Sequence, residues 1–121
     1  MKVTPSRGAR AAREEGRLMR FMMKVGIPVE AGNAAAKAGK LGVTIQSIMA
    51  EQKPEAAYFT DDDGRRTAFL FLEMTDASQI PAIAEPWFLA FNARIEIHPV
   101  MIAADLAKAG PAIEQAVKKY A

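Results

Sequence analysis

Apolar and polar residues alternate over residues 19–26, a period of two that predicts a β-strand. The segment has two faces, with Phe21, Met23 and Val25 on one and Arg20, Met22 and Lys24 on the other. Pro28 follows directly and ends the pattern. The first face therefore belongs to a core, and the second carries two cations.

Apolar residues then recur at intervals of three and four, which predicts a helix over residues 30–52. The stripe consists of Ala34, Ala38, Leu41, Ile45 and Ile48. Gly39 and Gly42 each weaken a helix by about 1 kcal/mol relative to alanine. We therefore expect a kink there, or a close approach to the sheet, before Pro54 ends the helix.

Two apolar runs, residues 56–60 and 66–74, flank the sequence Asp61-Asp-Asp-Gly64. Asp-Gly between two such runs is a strong hairpin signal, because Gly64 adopts a positive φ without a steric penalty. An EF-hand would need acids at alternating positions and a distant glutamate, so we interpret this run as a hairpin tip and not a calcium site.

The second half of the chain predicts another helix and another strand. Asp76 or Ser78 can cap the helix, Pro81 suits its first turn, and Pro86 should bend it or break it briefly. Its apolar stripe consists of Ile80, Ile83, Trp87 and Phe91. Residues 93–100 alternate as a fourth strand, and residues 103–120 predict a helix in two pieces separated by Gly110-Pro111.

The order of these elements is β-α-β-β-α-β followed by a helix. This is an α+β, ferredoxin-like arrangement, in which one four-stranded antiparallel sheet carries two helices on one face. We expect residues 18–121 to form a single domain of this kind.

The third strand is apolar on both sides, with Phe69 and Phe71 opposite a second apolar row. That row consists of Ala68, Leu70, Leu72 and Met74. A strand that is apolar on both faces is typically buried on both faces, and two helices cover only one. The C-terminal helix or a second copy of the protein could cover the other. A homodimer would also protect the edge strands, so we expect one.

The polar residues of this second face are the candidate functional residues. Ile95 and Ile97 should face the helices, which places Arg94, Glu96 and His98 beside Arg20 and Lys24. Burying such groups is costly unless they pair or surround a ligand-filled cavity.

Two roles follow for these residues. His98 and Glu96 would form a catalytic acid–base pair, with Glu96 orienting His98. Arg94, Arg20 and Lys24 would bind an anionic group of the substrate, and the hydroxyl of Tyr58 could reach the pocket or solvent. The alternative is a structural ion pair beside the dimer seam.

Composition changes the picture mainly through charge. The 121 residues have a pI near 9.0, and a basic protein of this kind could bind the phosphates of a nucleic acid. Residues 1–17 hold five bases and two acids, which leaves 11 bases and 12 acids in residues 18–121. The basicity therefore belongs to the N-terminal stretch, which we interpret as a basic, disordered extension or as sequence upstream of a start at Met19. We expect no nucleic-acid or membrane partner, and a cytoplasmic protein as the default in the absence of a secretory signal.

The chain has no cysteine and one histidine, which excludes disulfides and thiol catalysis and leaves few ligands for zinc. We therefore expect no metal and no cofactor.

Residues 19–102 resemble the dimeric α+β barrel superfamily of ferredoxin-like proteins. The resemblance rests on the element order, the two-sided third strand and the ending Ala93-Arg-Ile-Glu-Ile-His-Pro-Val100. Members include muconolactone isomerases, small cofactor-independent or haem-degrading monooxygenases and stress-related proteins. The sequence is most similar to uncharacterised small bacterial proteins, through residues 27–33 (IPVEAGN) and 80–88 (IPAIAEPWF).

The resemblance implies that a small molecule binds between the sheet and the helices or inside the barrel. It does not carry haem chemistry over. Haem-degrading members use an asparagine, a tryptophan and a histidine on particular elements, and Asn33, Trp87 and His98 do not match that arrangement.

Three functions follow as hypotheses. The first is a homodimer that binds or transforms a small organic molecule, neutral or anionic, in a pocket against the sheet. An enzyme of this kind would be an isomerase or resemble a cofactor-independent monooxygenase. The second is a non-catalytic dimeric structural or stress-related protein, and the third is a nucleic-acid or membrane binder acting through residues 1–17.

Overall fold

The computed structural model describes residues 18–121, and the predicted N-terminal extension lies outside the described residues. The strands are β1 (Met19–Ile27), β2 (Ala56–Asp62), β3 (Arg65–Met74) and β4 (Arg94–Pro99). The helices are α1 (Val29–Lys37), α2 (Leu41–Gln52), α3 (Ile80–Phe91), α4 (Ala103–Lys108) and α5 (Gly110–Tyr120), with a short 3-10 turn, Ala77–Gln79, before α3.

The strands form one antiparallel sheet in the order β2-β3-β1-β4. The ferredoxin-like α+β fold is thereby confirmed. β1 and β3 lie at the centre, where β1 pairs along its whole length with β3 and over Phe21–Gly26 with β4. The two strands with the most apolar residues thus take the two positions that have neighbours on both sides.

The core fills the space between the sheet and the helices. The face of β1 predicted to be buried is buried: Phe21, Met23 and Val25 have no exposed surface. Trp87 and Phe91 of α3 are 0% and 2% exposed and pack their rings at a centroid distance of 6.2 Å. This core orients α3 against the centre of the sheet.

The predicted helix over residues 30–52 is two helices, because the chain turns at Gly39. Gly39 has a φ of 71°, in the left-handed region that favours glycine, and a Cβ added there would meet no atom within 4 Å. The glycine therefore makes a turn and does not approach the sheet. The close approach occurs instead at Gly32 in α1.

The β2–β3 connection is the predicted hairpin. Asp63 and Gly64 both have positive φ values, 54° and 72°, as a two-residue type I′ turn requires. Both strands extend further toward the turn than the apolar runs suggested, so β2 includes Asp61 and Asp62 and β3 begins at Arg65.

Asp76 caps the segment that leads into α3, with its Oδ1 accepting from the Ser78 N–H at 2.8 Å. Gln79 completes a capping box, because its Oε1 accepts from the Asp76 N–H at 3.1 Å. Pro81 lies in the first turn of α3 as expected. The helix continues through Pro86, so the possible break there does not occur.

The C-terminal helices α4 and α5 do not cover the centre of the second face of the sheet, where Phe69 and Phe71 are half-buried, although Asp105 of α4 lines a recess beside Arg20 and Glu73 at one end of it. Every residue from 111 to 120 is exposed, including the apolar residues Ile113, Val117 and Tyr120. The sequence analysis named two candidates for covering this face, the C-terminal helix and a second copy of the protein. In the described residues, the C-terminal helix does not take that role.

Candidate functional site

The sheet carries a recess on each side. The first is an apolar cavity of about 200 Å³ on the side that faces the helices. The second is a charged recess of about 80 Å³ on the second face, beside the β2–β3 hairpin.

The apolar cavity is lined by side chains from five elements and is open on one side. Its lining residues are Ile27 of β1, Ile45 of α2, Phe59 and Thr60 of β2, Arg66, Thr67 and Ala68 of β3, and Trp87 of α3. Three of them, Ile27, Ala68 and Trp87, are at most 3% exposed, whereas Phe59 is 55% exposed. The cavity thus has a buried floor and a wall open to solvent at the β2 edge.

Trp87 is held in place by a polar contact as well as by packing. Its indole Nε1–H donates a hydrogen bond to Oε1 of Gln52 at 3.2 Å. The Nε2 of Gln52 in turn donates to the carbonyl oxygen of Ile83 at 2.7 Å. The last residue of α2 therefore bridges to α3 and satisfies the indole N–H, which would otherwise be buried without a partner.

Arg66 is the charged residue of this cavity. Its Nη1 donates a hydrogen bond to Oδ1 of Asn33 in α1 at 3.0 Å. Gly32 makes room for the guanidinium, because a Cβ there would stand 2.6 Å from Nη1 and 3.3 Å from Cδ of Arg66. The first turn of α1 thereby determines where the guanidinium lies.

The charged recess on the second face has a mixed lining. Lys24, Arg65 and Arg94 supply three positive charges, and a matching set of three acids consists of Asp62, Asp63 and Glu96. The charges balance, and the volume is small. The recess therefore favours internal pairing over the binding of a net charge.

Two of the predicted anion-binding residues already have carboxylate partners. Lys24 reaches across β3 to Asp62, and the hydrogen bond to Asp62 raises the pKa of the Lys24 amine above its ordinary value. Arg20 binds Glu55 through both its Nε and its Nη2, the latter at 3.2 Å from Oε2, and this contact raises the pKa of the guanidinium. Both cations stay charged and are engaged within the chain.

The predicted acid–base pair lies together on β4. Nε2 of His98 is 3.8 Å from Oε2 of Glu96, and Nη2 of Arg94 is 3.6 Å from Oε1 of the same carboxylate. The side chains of His98 and Arg94 are 56% and 76% exposed in the single chain. Glu96 therefore lies between the guanidinium of Arg94 and the imidazole of His98, and the group is open to solvent.

Tyr58 lies at the β2 edge of the second face and is 63% exposed. Its ring meets Phe71 edge to face at a centroid distance of 6.3 Å. The register thus brings Lys24, Arg94 and Glu96 together at the charged recess. The other three predicted site residues, His98, Tyr58 and Arg20, lie on the second face but do not line this recess.

The residues that sequence reasoning missed are those of the apolar cavity. Ile45 and Trp87 were recognised only as core positions, and Phe59 and Arg66 were given no role. One signal was available: Arg66 begins the row that continues with Ala68 and Leu70, so period-two alternation alone places this cation on the core side of β3.

Within residues 18–121, no group of three or more histidine, aspartate or glutamate side chains is placed to hold a metal ion. No helix described there is long and apolar enough to cross a lipid bilayer.

Comparison with known proteins places most of the chain in one family model. Residues 19–114 match a model described as a domain of unknown function, DUF3303. Searches of curated proteins and of solved structures returned no match.

Proposed function

We propose that this chain, which belongs to the DUF3303 family, is a homodimeric protein that binds a small organic molecule in the apolar cavity between the sheet and the helices. The observation that carries the proposal is the cavity itself: about 200 Å³, with a buried floor and a single charged lining residue. Ligand sites are typically concave and mostly apolar, with a few polar groups that orient the ligand. The resemblance to dimeric α+β barrels supports the same location.

The second face supports the dimer. Met22, Phe69 and Phe71 are only half-buried in the single chain, although they lie at the centre of the sheet. Aromatic and methionine side chains of this kind are enriched in protein interfaces. Because α4 and α5 leave the centre of this face uncovered, a second copy of the sheet is the partner that we propose.

The cavity can be tested through its own tryptophan. Trp87 is the sole tryptophan of the chain, so its fluorescence reports on the cavity without a label. We expect benzyl alcohol and hexanol to shift its emission saturably and to raise the melting temperature. Ala68→Leu, which adds a side chain inside the cavity, should abolish the shift, whereas Ala50→Leu on the exposed side of α2 should not.

The outcome separates this function from the non-catalytic alternative. Circular dichroism must first show that both variants are folded. If no probe changes the emission or the melting temperature of the natural protein, a structural dimer without a ligand is the better description. If Ala68→Leu retains the full response, the ligand binds elsewhere.

A second candidate is proton transfer at Glu96 and His98, whose side chains lie on the same face of β4 with Oε2 and Nε2 3.8 Å apart, so that a small rotation would bring them into hydrogen-bond distance. An isomerase of this kind would exchange the α-protons of enolisable ketones in D2O, which NMR detects. We expect His98→Ala and Glu96→Gln to abolish that exchange. An exchange rate unchanged in His98→Ala would rule the assignment out and leave Glu96 with a structural role.

A further inference from the structure

We propose that Arg66 is the anion-binding residue of the apolar cavity, and that the ligand is therefore a small molecule with an apolar body and one carboxylate. This inference rests on the proposed function and names the chemical class of its ligand. It moves the anion-binding role from the second face, where the sequence placed it, to the opposite side of the sheet.

Arg66 is the charged side chain among the cavity's lining residues within 18–121. Over the same residues, no carboxylate oxygen lies within 4 Å of its guanidinium, although Asp61 is its direct neighbour in the β2–β3 register. Its side-chain hydrogen bond goes to the neutral amide of Asn33. Arg20 and Lys24, by contrast, are each bound to a carboxylate. Arg66 thus retains the capacity to bind an anion.

The guanidinium also has a preferred position, although Arg66 and Asn33 are both exposed. Gly32 leaves the space in which Nη1 lies, and Asn33 accepts its hydrogen bond from the same turn of α1. A guanidinium that is already oriented loses less conformational freedom when it binds a ligand. The planar group can present two parallel N–H donors to one carboxylate.

The rest of the lining determines the remainder of the ligand. Ile27, Ile45, Phe59 and Trp87 offer apolar surface, and the remaining polar side chains are the neutral hydroxyls of Thr60 and Thr67, of which Thr67 already donates to the Arg65 carbonyl. A second charged group on the ligand would therefore be desolvated without an opposite charge. A single cation at an apolar cavity therefore favours a monoanion with a hydrocarbon or aromatic body over a polyanion or a sugar.

The experiment compares matched pairs of probes by the fluorescence of Trp87. Benzoate is compared with benzyl alcohol, and hexanoate with hexanol, so that each pair differs mainly in the carboxylate. We expect each carboxylate to bind about 10-fold or more tightly than its alcohol, as one charge-assisted interaction allows. Arg66→Gln should remove that advantage and leave the affinity for the alcohols unchanged.

Arg65→Gln is the matched control, because it removes the same charge from the adjacent position, which faces the opposite side of β3. It should leave all four affinities unchanged. Arg66→Lys keeps the positive charge but loses the bidentate donor geometry of the guanidinium. It should therefore retain part of the tighter binding of carboxylates over alcohols.

The results distinguish this inference from the function beneath it. The anion-binding role of Arg66 is refuted if the alcohols bind but the carboxylates bind no more tightly, or if Arg65→Gln has the same effect as Arg66→Gln. In that case the proposed binding of a small molecule in the cavity still stands. If no probe of either class binds, the proposed function fails and the inference with it.

Discussion

The indole Nε1–H of Trp87 and the Oε1 of Gln52 form a hydrogen bond of 3.2 Å that connects two helices beside the apolar cavity. Thirty-five positions separate the two residues along the chain, so the contact depends on the completed fold. Gln52 uses both ends of its amide, since Nε2 also donates to the carbonyl of Ile83. This one side chain therefore links the end of α2 to both the backbone and the aromatic residue of α3.

Replacing Gln52 should destabilise the protein. Gln52→Met is close in size but leaves the fully buried indole N–H and the Ile83 carbonyl without this partner, which costs about 1–3 kcal/mol of the free energy of unfolding. Urea denaturation measures the change. Gln46→Met, at an exposed position of the same helix, is the control and should change the stability little. Equal stability of the two variants would contradict the role of the hydrogen bond.

Gly32→Ala should affect binding more than stability. The added Cβ would stand 2.6 Å from Nη1 of Arg66, and the end of this flexible side chain can move away; it would also stand 3.3 Å from Cγ2 of Ile27, which must shift by a few tenths of an ångström. The displaced guanidinium should weaken benzoate binding several-fold and change benzyl alcohol binding much less. Trp87 fluorescence measures both affinities.

Gly42→Ala is the control for that variant, because a Cβ there meets nothing within 4 Å. It should leave both affinities unchanged and stabilise α2 by about 0.5 kcal/mol. Unaltered benzoate binding in Gly32→Ala would show that the position of the guanidinium does not matter for the ligand.

Phe71→Glu should dissociate the proposed dimer. Phe71 lies half-buried at the centre of the second face, and a carboxylate there would be buried against the partner sheet. We expect the dissociation constant to rise at least about 30-fold, the equivalent of a contact worth 2 kcal/mol. Light scattering with size-exclusion chromatography measures the mass. Phe88→Glu, on the exposed side of α3, should remain dimeric, and a dimeric Phe71→Glu would place the interface elsewhere.

Asp76→Ala should lower the melting temperature in a pH-dependent manner. Hydrogen bonds from the side chain and the backbone N–H of Ser78 lower the pKa of the Asp76 carboxyl below its ordinary value. A group whose pKa is lower in the folded state stabilises the fold above its unfolded pKa, about 3.9, and this contribution is lost as the pH falls through the folded value.

The melting temperature of Asp76→Ala should therefore lie about 3–6 °C below that of the natural protein at pH 7, as for loss of a helix cap. The difference between the two melting temperatures should become smaller as the pH falls below about 4. Scanning calorimetry from pH 7 to pH 3 measures it, with Glu85→Ala, an exposed residue of α3, as the control. A gap that is constant over this range would exclude the carboxylate as its source.

The elements and faces of this fold were predictable from short-range patterns. Alternation in β1 predicted the buried side chains of Phe21, Met23 and Val25, and the Asp63-Gly64 turn followed from the need for positive φ. On β4 the same alternation correctly separated Ile95 and Ile97 from Arg94, Glu96 and His98. These features depend on neighbours within a few residues, so local periodicity is enough to predict them.

The partners of the charged residues were not predictable in the same way. Arg20 and Lys24 could be placed on the second face, but their pairing with Glu55 and Asp62 depends on how β2 aligns with β3. The glycines give a second example. The sequence analysis expected a kink or a close approach to the sheet at Gly39 and Gly42, whereas the glycine that closely approaches another element is Gly32. Nothing in the sequence near Gly32 indicates that Arg66, on another strand, will lie against it.

The sequence by itself determined the order of the elements, the faces of the strands and the presence of an apolar row on each side of β3, because each follows from the period of the chain's own residues. The tertiary structure decided where a cavity opens and which cation lies beside it. That decision required Ile27, Ile45, Phe59 and Trp87 to converge from different elements around Arg66. Distances between such residues are set by the packing of helices on the sheet, and packing is a property of the whole fold.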